Sequence, residues 1–355
     1  MSNKKTKLII LVQALEQPRA VKRVIEKSTE YDEVYVYGFN RGNQKVNNYG
    51  ILKNYDNIKL KVVGTMTDHQ YLNRIGNFLR LLYLILTEHG ISNKSVYAIG
   101  LDIRIASVLI FNSKIDYEIS DIVWLYKTSY QKSILKKVDT FLARHANKVV
   151  FTSKGFYDAH YKKYVKPENV TIKENKFKTY GKVKSIEKIK KDQVRIAYIG
   201  AIRYVDILRN LSEVVKNDPT MILNFYGDGP KEIIDEIKKN ATEYENIEYH
   251  GPFKNPDDLE DIYNENNLNF VVYDNRYENE RIAMPNKYYE SGFFNIPIVA
   301  AENTYVGKRV LDQKMGWIIG ITKDEISNFL NQLDIDKIVT THDHIKTLDK
   351  NLFEI

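Results

Sequence analysis

The sequence of 355 residues contains no cysteine. A disulfide scaffold, an iron–sulfur centre, a zinc site built on thiolates and a cysteine nucleophile are therefore excluded. Long apolar runs are also missing. The run at 8–12 has only five residues, fewer than the roughly 7–15 of a signal peptide, and the segment 78–86 is far shorter than the ~20 residues of a membrane span. We read residues 7–12 as a first β-strand and expect a cytoplasmic protein.

Several common nucleotide and catalytic motifs are absent as well. There is no GxxxxGK[ST], which excludes a P-loop kinase or ATPase. The segment after the first predicted strand, 13–19, lacks GxGxxG, which disfavours a standard NAD site. GxSxG and HExxH are missing, which disfavours an α/β-hydrolase or a zinc protease.

Charge is distributed unevenly along the chain. Residues 1–190 hold 34 lysines and arginines against 17 acids, whereas residues 191–355 hold 19 against 29. This asymmetry favours an anionic partner for the first half, such as an anionic membrane surface or a phosphate-linked substrate. A solvated lysine-rich surface explains the same counts. No RNP1-like or other basic–aromatic RNA motif occurs, so we expect no nucleic-acid partner.

Short β-rich runs alternate with segments of helical apolar spacing, which indicates two doubly wound, largely parallel sheets. The predicted strands are 7–12, 33–39, 58–65, 95–100, 114–120, 148–153, 170–175, 194–200, 221–227, 247–251, 268–274, 296–300 and 316–320. We expect a first Rossmann-like domain at 1–180, a lysine-rich linker at 181–193 and a second Rossmann-like domain at 194–335. Residues 336–355 form a tail, in which a final helix packing back across the domain boundary is plausible.

Ligands of open α/β sheets bind at the carboxyl ends of the strands. In the second domain these ends carry Gly200 with Arg203, then the segment Tyr226-Gly227-Asp228-Gly229-Pro230, then His250-Gly251. A glycine turn, a helix N-terminus and an arginine suit a phosphate. An ordinary βα turn with a surface arginine is the alternative.

The most informative segment is 284–300, where Pro285 begins a predicted helix. Asn286 and Glu290 then share one helix face. A carboxylate accepts both hydrogen bonds of a ribose diol, and Lys287 beside a helix N-terminus suits a diphosphate. These features predict a nucleotide-diphosphate site, and an exposed amphipathic helix with a capping asparagine is the alternative.

With these motifs in order, the sequence resembles the retaining family 4, or group 1, glycosyltransferases of GT-B fold, which build bacterial surface polysaccharides. The resemblance is clearest from about 194 to 320. It rests on the ordered set Ile199-Gly200 with Arg203, 226–230, His250-Gly251, 285–290, Ile296-Pro297-Ile298 and Gly316-Trp317. The first domain matches more loosely at 17–19, 117–121, 150–156 and Glu174-Asn175.

Two departures from the family pattern matter. The paired-glutamate motif needs an acid at 282, where this chain has Ile282, so only the second acid, Glu290, carries over. The family often has histidine where Ser120 stands. The resemblance implies two Rossmann-like domains facing each other across a cleft, and retention of anomeric configuration.

We therefore expect a hexosyltransferase-type enzyme that moves a sugar from a nucleotide-diphosphate sugar to a hydroxyl acceptor without a metal. The acceptor expected is a glycan or lipid-linked glycan of capsule, exopolysaccharide or O-antigen synthesis, and the protein is expected to be cytoplasmic, with peripheral contact with the cell membrane. No cofactor is expected beyond the nucleotide sugar, with UDP or GDP favoured. A nucleotide-sugar epimerase of GT-B fold and a catalytically silent GT-B subunit remain alternatives.

The candidate site residues fall into three groups. Arg203, Lys287 and Glu290 are candidate catalytic residues, with Asp121, Glu118 and Asp102 as candidates for acceptor activation. Donor-binding candidates are Gly200, Arg203, Tyr226, Gly227, Asp228, His250, Pro285, Asn286, Lys287, Glu290 and Thr304. Arg19 and Arg41 are candidates on the acceptor side.

Overall fold

The computed structural model describes residues 6–41, 49–66, 71–91, 93–110, 113–179 and 183–355. The chain forms two compact units, Met1–Glu174 and Asn175–Ile355. The division lies a few residues before the predicted end of the first domain. Residues 180–182, where the predicted first domain ends and the predicted linker begins, lie outside the described ranges.

The first unit is built on a seven-stranded sheet in the order β3-β2-β1-β4-β5-β6-β7. Its strands are β1 (Lys7–Val12), β2 (Glu33–Asn40), β3 (Ile58–Thr65), β4 (Lys94–Ile99), β5 (Ser113–Ile119), β6 (Lys148–Phe151) and β7 (Val170–Ile172). Its helices are α1 (Pro18–Ser28), α2 (Tyr71–His89), α3 (Leu101–Ser107), α4 (Ser129–Arg144) and α5 (Lys154–Phe156), which continues into a π-turn at Tyr157–Tyr161. Short 3₁₀ turns occur at Tyr49–Asn54, Val123–Tyr126 and Pro167–Asn169.

The second unit is built on a six-stranded sheet in the order β10-β9-β8-β11-β12-β13. Its strands are β8 (Val194–Ile199), β9 (Met221–Tyr226), β10 (Ile247–Gly251), β11 (Leu268–Val271), β12 (Ile298–Ala301) and β13 (Gly316–Ile319). Its helices are α6 (Val205–Val215), α7 (Lys231–Glu243), α8 (Leu259–Glu265), α9 (Glu278–Ile282), α10 (Asn286–Phe294), α11 (Tyr305–Asp312), α12 (Lys323–Gln332) and α13 (Ile335–Lys346), followed by a 3₁₀ turn at Lys350–Leu352.

All strand pairings in both sheets are parallel. In each sheet the strand order reverses at one point, between β1 and β4 in the first unit and between β8 and β11 in the second. Loops that leave neighbouring strands on opposite faces open a crevice at such a point. The loops that follow these four strands are therefore the expected place for ligand binding.

The core of the second unit extends to the end of the described chain. Phe353 is fully buried, and its ring occupies the space that a side chain at Gly292 of α10 would need. Phe177 pairs with Glu354 in an isolated parallel bridge, and its ring packs 4.7 Å from that of Phe293. Residues 175–177 and the last residues thus cover α10 from one side.

Every predicted strand is present, with ends that differ by a few residues. The sequence analysis missed α3 and α9 and did not give the extent of α13. Among the described residues, no helix combines the length and apolarity needed to cross a membrane.

Candidate functional site

Three glycines mark the carboxyl ends of the adjacent strands β8, β9 and β10. Gly200, Gly227 and Gly251 all have positive φ angles, of 123°, 142° and 80°. The Gly200 N–H donates to the Tyr226 carbonyl and the Gly227 N–H donates to the Gly251 carbonyl, both at 2.8 Å. The three strand ends are therefore tied together in a single ledge of backbone, which we call the glycine ledge.

The three glycines of the ledge differ in how much free space a side chain would have at each position. A Cβ at Gly227 would come within 1.8 Å of the Gly200 carbonyl oxygen, so this glycine is required for packing of one strand end on the next. Within the part of the chain that the structure describes, a Cβ at Gly251 would meet no atom within 4 Å, and one at Gly200 would meet only Cε of Lys287, at 3.5 Å. The ledge thus has open space at Gly200 and Gly251.

Lys287 lies at this open space. It is in the first turn of α10, which begins directly after Pro285. Its ammonium lies 5.3 Å from the centre of the Phe253 ring and 2.5 Å from the Glu290 carboxylate, one turn later on the same helix. The sequence grouped Lys287 and Glu290 with Gly200 as donor-binding candidates, and the structure places Cε of Lys287 3.5 Å from the position that a Cβ at Gly200 would occupy.

Glu290 is buried, with 2 % of its surface exposed. Besides Lys287, it accepts hydrogen bonds from the Tyr263 hydroxyl at 3.2 Å and from Nδ2 of Asn255 at 3.3 Å. The carboxylate therefore lies within a set of donors rather than in an open position. The sequence analysis missed Phe253, Asn255 and Tyr263, since no motif connects them with α10.

Arg203 follows β8 and is exposed at the same edge of the sheet. Its guanidinium lies over two aromatic rings, 5.0 Å from the centre of Tyr204 and 5.7 Å from the centre of Tyr273. The Tyr204 and Tyr273 rings are 5.3 Å apart, and among the described residues the Tyr204 hydroxyl has no hydrogen-bond partner. Stacking of this kind orients a guanidinium and leaves its N–H edge available for an anion.

The loop after β11 is held by a local ion pair. Asp274 is buried and accepts from Nε and Nη2 of Arg276, at 2.8 and 2.7 Å, and this contact lowers the pKa of the Asp274 carboxyl. Arg276 also reaches Asp206 at the start of α6, at 3.3 Å. The pair fixes the loop on the β11 side of the point where the strand order reverses.

The remaining donor-side candidates have local roles in the structure. The rings of Tyr226 and His250 stack at 4.4 Å, and burial raises the pKa of Tyr226 to about 12. Asp228 accepts from the Gly229 N–H at 3.0 Å. The Thr304 hydroxyl caps α11 by accepting from the Gly307 N–H at 3.0 Å. Asn286 is half-buried in the first turn of α10.

In the first unit, two acceptor-side candidates come together. Nη2 of Arg19, in α1, lies 3.0 Å from Oδ2 of Asp121, which follows β5. Asp102, after β4, accepts from Nε2 of Gln13 at 2.9 Å and lies 3.6 Å from Arg74. These groups lie at the carboxyl ends of β1, β4 and β5, where the strand order reverses.

Glu118 differs from Asp121 and Asp102 in that it is buried, with only 1 % of its surface exposed. It forms an ion pair at 2.6 Å with the buried Arg23, and it also accepts from the hydroxyls of Tyr97 and Ser120. This position matches a structural role better than contact with an acceptor.

Arg41, at the end of β2, donates its backbone N–H to Glu16 at 2.8 Å. Within the described ranges, no three histidine, aspartate or glutamate side chains come together as a metal ion requires.

No protein-family model matches the chain, and no curated protein sequence matches it. Several solved structures, in contrast, superpose on almost the whole chain. HepE from Anabaena in complex with UDP-glucose superposes with a TM-score of 0.73 at 16 % identity, over 98 % of this chain and 96 % of that one. Sucrose-phosphate synthase from Thermosynechococcus elongatus gives a TM-score of 0.75 at 10 % identity, over 98 % and 95 %.

The chain has the GT-B fold. This confirms the fold class expected from the sequence, two Rossmann-like domains with parallel sheets. A proposed UDP-N-acetylglucosamine 2-epimerase from Listeria monocytogenes shares this GT-B fold, with a TM-score of 0.61 at 12 % identity over 98 % of this chain and 92 % of that one. At such low identity the likeness establishes the fold alone.

Proposed function

We propose that the chain is a glycosyltransferase that moves a sugar from a nucleotide-diphosphate sugar to a hydroxyl acceptor. The observation that carries this proposal is the open glycine ledge with Lys287 and Glu290 beside it. Backbone without side chains at Gly200 and Gly251, a cation and a carboxylate are together what a nucleoside diphosphate requires. The presence of UDP-glucose on a GT-B protein, HepE, supports UDP as the first nucleotide to test.

In this proposal the second unit holds the donor. Glu290 receives the ribose hydroxyls, and Lys287, Arg203 and the N-terminus of α10 receive the diphosphate. Negative charge develops on the leaving diphosphate as the glycosidic bond breaks. Fixed cations and helix dipoles stabilise that charge without moving during the reaction, which is the main catalytic contribution of such a site.

The Lys287–Glu290 ion pair implies an exchange of partners when the donor binds. In the present arrangement the lysine neutralises the buried carboxylate. A ribose diol supplies two hydrogen bonds to Glu290, and the diphosphate then takes the ammonium of Lys287. Glu290 therefore has hydrogen-bond donors and Lys287 has an anionic partner both before and after binding, which limits the cost of desolvation.

The acceptor is proposed to bind at the first unit, where Arg19, Asp121 and Asp102 gather at the strand ends. The family resemblance supports a lipid-linked glycan of surface-polysaccharide synthesis, and retention of configuration by transfer on the same face. Asp121 and Asp102 are the better candidates for activating the acceptor hydroxyl, since both are more exposed than Glu118.

A nucleotide-sugar epimerase is the second candidate, because the Listeria protein shares the fold. Such an enzyme uses the same kind of donor but releases UDP and sugar without an acceptor. A silent subunit that binds but does not turn over is the third, and Ile282 in place of the family's first acid is the residue that favours it.

Calorimetric titration of the purified chain with UDP, GDP, ADP and CMP tests the donor site, with a radiolabelled-sugar assay for turnover. We expect one uridine or guanosine diphosphate to bind and Lys287→Met to weaken it at least tenfold. Lys231→Met, on the exposed start of α7, is the matched control and leaves binding unchanged. Absence of binding by all four nucleotides contradicts the proposal, and binding without slow donor hydrolysis favours the silent subunit.

A further inference from the structure

One side of helix α2, in the first unit, carries a row of exposed apolar side chains. Its members, between 40 and 66 % exposed, are Ile75, Leu79, Tyr83 and Leu86. With the half-buried Leu82, the aliphatic members recur at intervals of four, three and four residues. This is the spacing of a coiled-coil seam, which keeps a narrow stripe on one face of a helix. The opposite face of α2, with Leu81 and Ile85, is buried in the core of the unit.

The charged side chains of α2 lie away from this stripe. Arg74 lies 3.6 Å from Asp102, at the start of α3. Glu88, near the other end of α2, forms an ion pair with Lys61 of β3. Arg80 is exposed at the margin of the stripe, about 100° around the helix from the residue before it. Among the described residues of α2, the stripe itself is therefore uncharged.

The apolar surface continues on α3, which lies beside α2. The ion pair just described joins the first turns of the two helices, and Ile103 of α3 belongs to the same buried cluster as Leu81 and Ile85. The outward side chains of α3 and of the turn after it, 40 to 53 % exposed, are Ile105, Val108 and Leu109. Together with the four exposed members of the stripe they form what we call the α2–α3 face. Seven of the eighteen exposed large apolar side chains among the described residues lie on this face.

The size of the α2–α3 face is that of an interface. Its seven side chains offer on the order of 700 Å² of surface per copy. The largest apolar patch of a monomeric protein is usually about 300–600 Å². Two copies that covered each other here would bury roughly 1,400 Å², within the range of about 1,200–2,000 Å² for specific, stable complexes.

The composition of the face favours another protein surface over lipid or nucleic acid. Residues 71–91 contain no lysine, although residues 1–190 hold 34 lysines and arginines. A surface that binds anionic lipid or nucleic acid needs basic side chains for the phosphates. Interface cores between proteins, in contrast, are poor in lysine and aspartate and rich in aromatic residues and arginine. Tyr83 in the stripe and Arg80 at its margin fit that composition.

A second copy of this chain matches the face best. An uncharged apolar stripe can lie against itself without repulsion, and a two-fold axis brings the same patch of two copies together and leaves none of it exposed. The chain itself offers no cover. Each stretch outside the described ranges has at most seven residues, and the longest, 42–48, is polar apart from Val46.

We propose that the chain forms a two-fold symmetric dimer in which the α2–α3 face of one copy packs against the same face of the other. Leu79 and Tyr83, the most exposed members of the stripe, lie within the contact. Arg80 lies at its rim, where water still reaches the guanidinium. This inference rests on the first unit and does not depend on the catalytic proposal.

Sedimentation equilibrium of the full chain over a range of concentrations tests the dimer. We expect the parent to be dimeric at micromolar concentration. Leu79→Asp should raise the dimer dissociation constant by at least about a hundredfold, because two carboxylates would be buried without partners and would repel each other. The matched control is Leu311→Asp on α11 of the second unit, where the leucine is also exposed. It should associate as the parent does.

The absence of cysteine allows a direct test of the contact. Single variants place one thiol in the stripe, namely Ile75→Cys, Leu79→Cys, Tyr83→Cys and Leu86→Cys, and Leu311→Cys is their control. A disulfide between two copies requires Cα atoms within about 7 Å of each other. Mild oxidation should therefore give a covalent dimer at the stripe position closest to the two-fold axis and none at residue 311.

Three results would overturn the proposal. They are a parent that stays monomeric at every concentration up to its solubility limit, unchanged association of Leu79→Asp, and cross-linking no faster at α2 than at residue 311. If the parent is monomeric and Leu79→Asp loses binding to phosphatidylglycerol vesicles, lipid covers the face and the proposal is wrong.

Folding of the variants is checked separately. Circular dichroism and nucleotide titration of Leu79→Asp should match the parent, which shows that the dimer is lost without loss of structure. If this variant does not fold, the cysteine variants decide, because they leave the surface uncharged. Nucleotide affinity that persists in a monomeric variant shows that the dimer and the donor site are independent properties.

Discussion

The ammonium of Lys287 lies 2.5 Å from the carboxylate of Glu290, and both side chains are largely withdrawn from water. The pair lies beside the open part of the glycine ledge, because Cε of Lys287 is 3.5 Å from the position of a Cβ at Gly200. A donor that binds at the ledge must therefore interact with a pair of charges that already compensate each other.

Glu290→Gln should weaken the affinity for the nucleotide diphosphate by roughly ten- to a hundredfold, which is about 1.4–2.8 kcal/mol. The amide keeps the shape but loses the charge that a ribose diol and Lys287 both use. Because Glu290 is buried and accepts from Tyr263 and Asn255, the variant should also lose about 1–3 kcal/mol of unfolding free energy. Calorimetric titration and urea unfolding measure the two effects.

The two measurements on Glu290→Gln have distinct meanings. Unchanged affinity together with a lower unfolding free energy assigns Glu290 to folding alone and places the donor elsewhere. A double-mutant cycle with Lys287→Met reports the coupling within the pair.

Alanine at two glycines of the ledge should give opposite results. At Gly227 a Cβ would overlap the Gly200 carbonyl, and the φ angle is unsuitable for a side chain. Gly227→Ala should cost about 3 kcal/mol or more. At Gly251 the space is open, so Gly251→Ala should cost about 1–2 kcal/mol of backbone strain and mainly weaken nucleotide binding. Thermal unfolding with and without UDP distinguishes them, and an equal response of both variants to UDP contradicts the expectation.

Arg203→Lys should lower kcat/KM roughly tenfold, even though the charge is kept. Lysine lacks the planar group that stacks on Tyr204 and Tyr273, and such stacking contributes a fold-change of that order. The control is Arg209→Lys, since Arg209 is an exposed residue of α6 that pairs with Glu236. Similar kinetics of the two variants would show that Arg203 contributes charge alone.

The pH dependence of stability should carry opposite contributions from two aspartates. Burial raises the pKa of Asp139, against the hydrogen bonds from Tyr161, Tyr117 and Trp124. Its contribution is fully present below the unfolded pKa of about 3.9 and is lost as pH rises through the raised native pKa. Relative to the parent, Asp139→Asn should therefore gain stability as pH rises from about 4.

Asp274 has the reverse sign, because the ion pair with Arg276 lowers its pKa. Its contribution is present above the unfolded pKa of about 3.9 and is lost as pH falls through the lowered native value. Asp274→Asn should therefore lose stability relative to the parent above about pH 4 and approach it in acid. Urea unfolding of both variants across this range is the measurement, and parallel curves for the two would contradict the assignment.

Turnover should persist in EDTA. The diphosphate charge is assigned to Lys287, Arg203 and the N-terminus of α10, which together act where a divalent ion otherwise would. Assay of donor hydrolysis before and after chelation checks this. Full loss of activity that Mg²⁺ or Mn²⁺ restores would show that the cationic side chains are insufficient.

The sequence predicted the sheets well, because buried parallel strands are short runs of valine, isoleucine and tyrosine that stand out between helices. It missed α9, whose five residues, Glu278–Ile282, include two glutamates and have no apolar periodicity. It also missed α3, which follows β4 without any polar cap in its sequence.

The candidate site could be predicted only where one segment holds several of its residues. Lys287 and Glu290 share one turn of α10, so a single local segment was enough to place both in the predicted site. Asn255 and Tyr263 reach Glu290 through folding of a distant loop and helix. Glu118 looked like an accessible acid after a strand, yet Arg23 of α1 covers it, a contact between residues far apart in the chain.

The ring of Phe353 fills the space above Gly292 and thereby fixes the helix that carries Lys287 and Glu290. During synthesis this ring emerges long after α10 itself. The first unit, whose last strand ends at Ile172, can fold while the ribosome is still producing the second. The second unit therefore cannot complete the packing of α10 until this late phenylalanine has been made. Translation arrested before that residue would give a nascent chain with an ordered first unit and an uncovered α10.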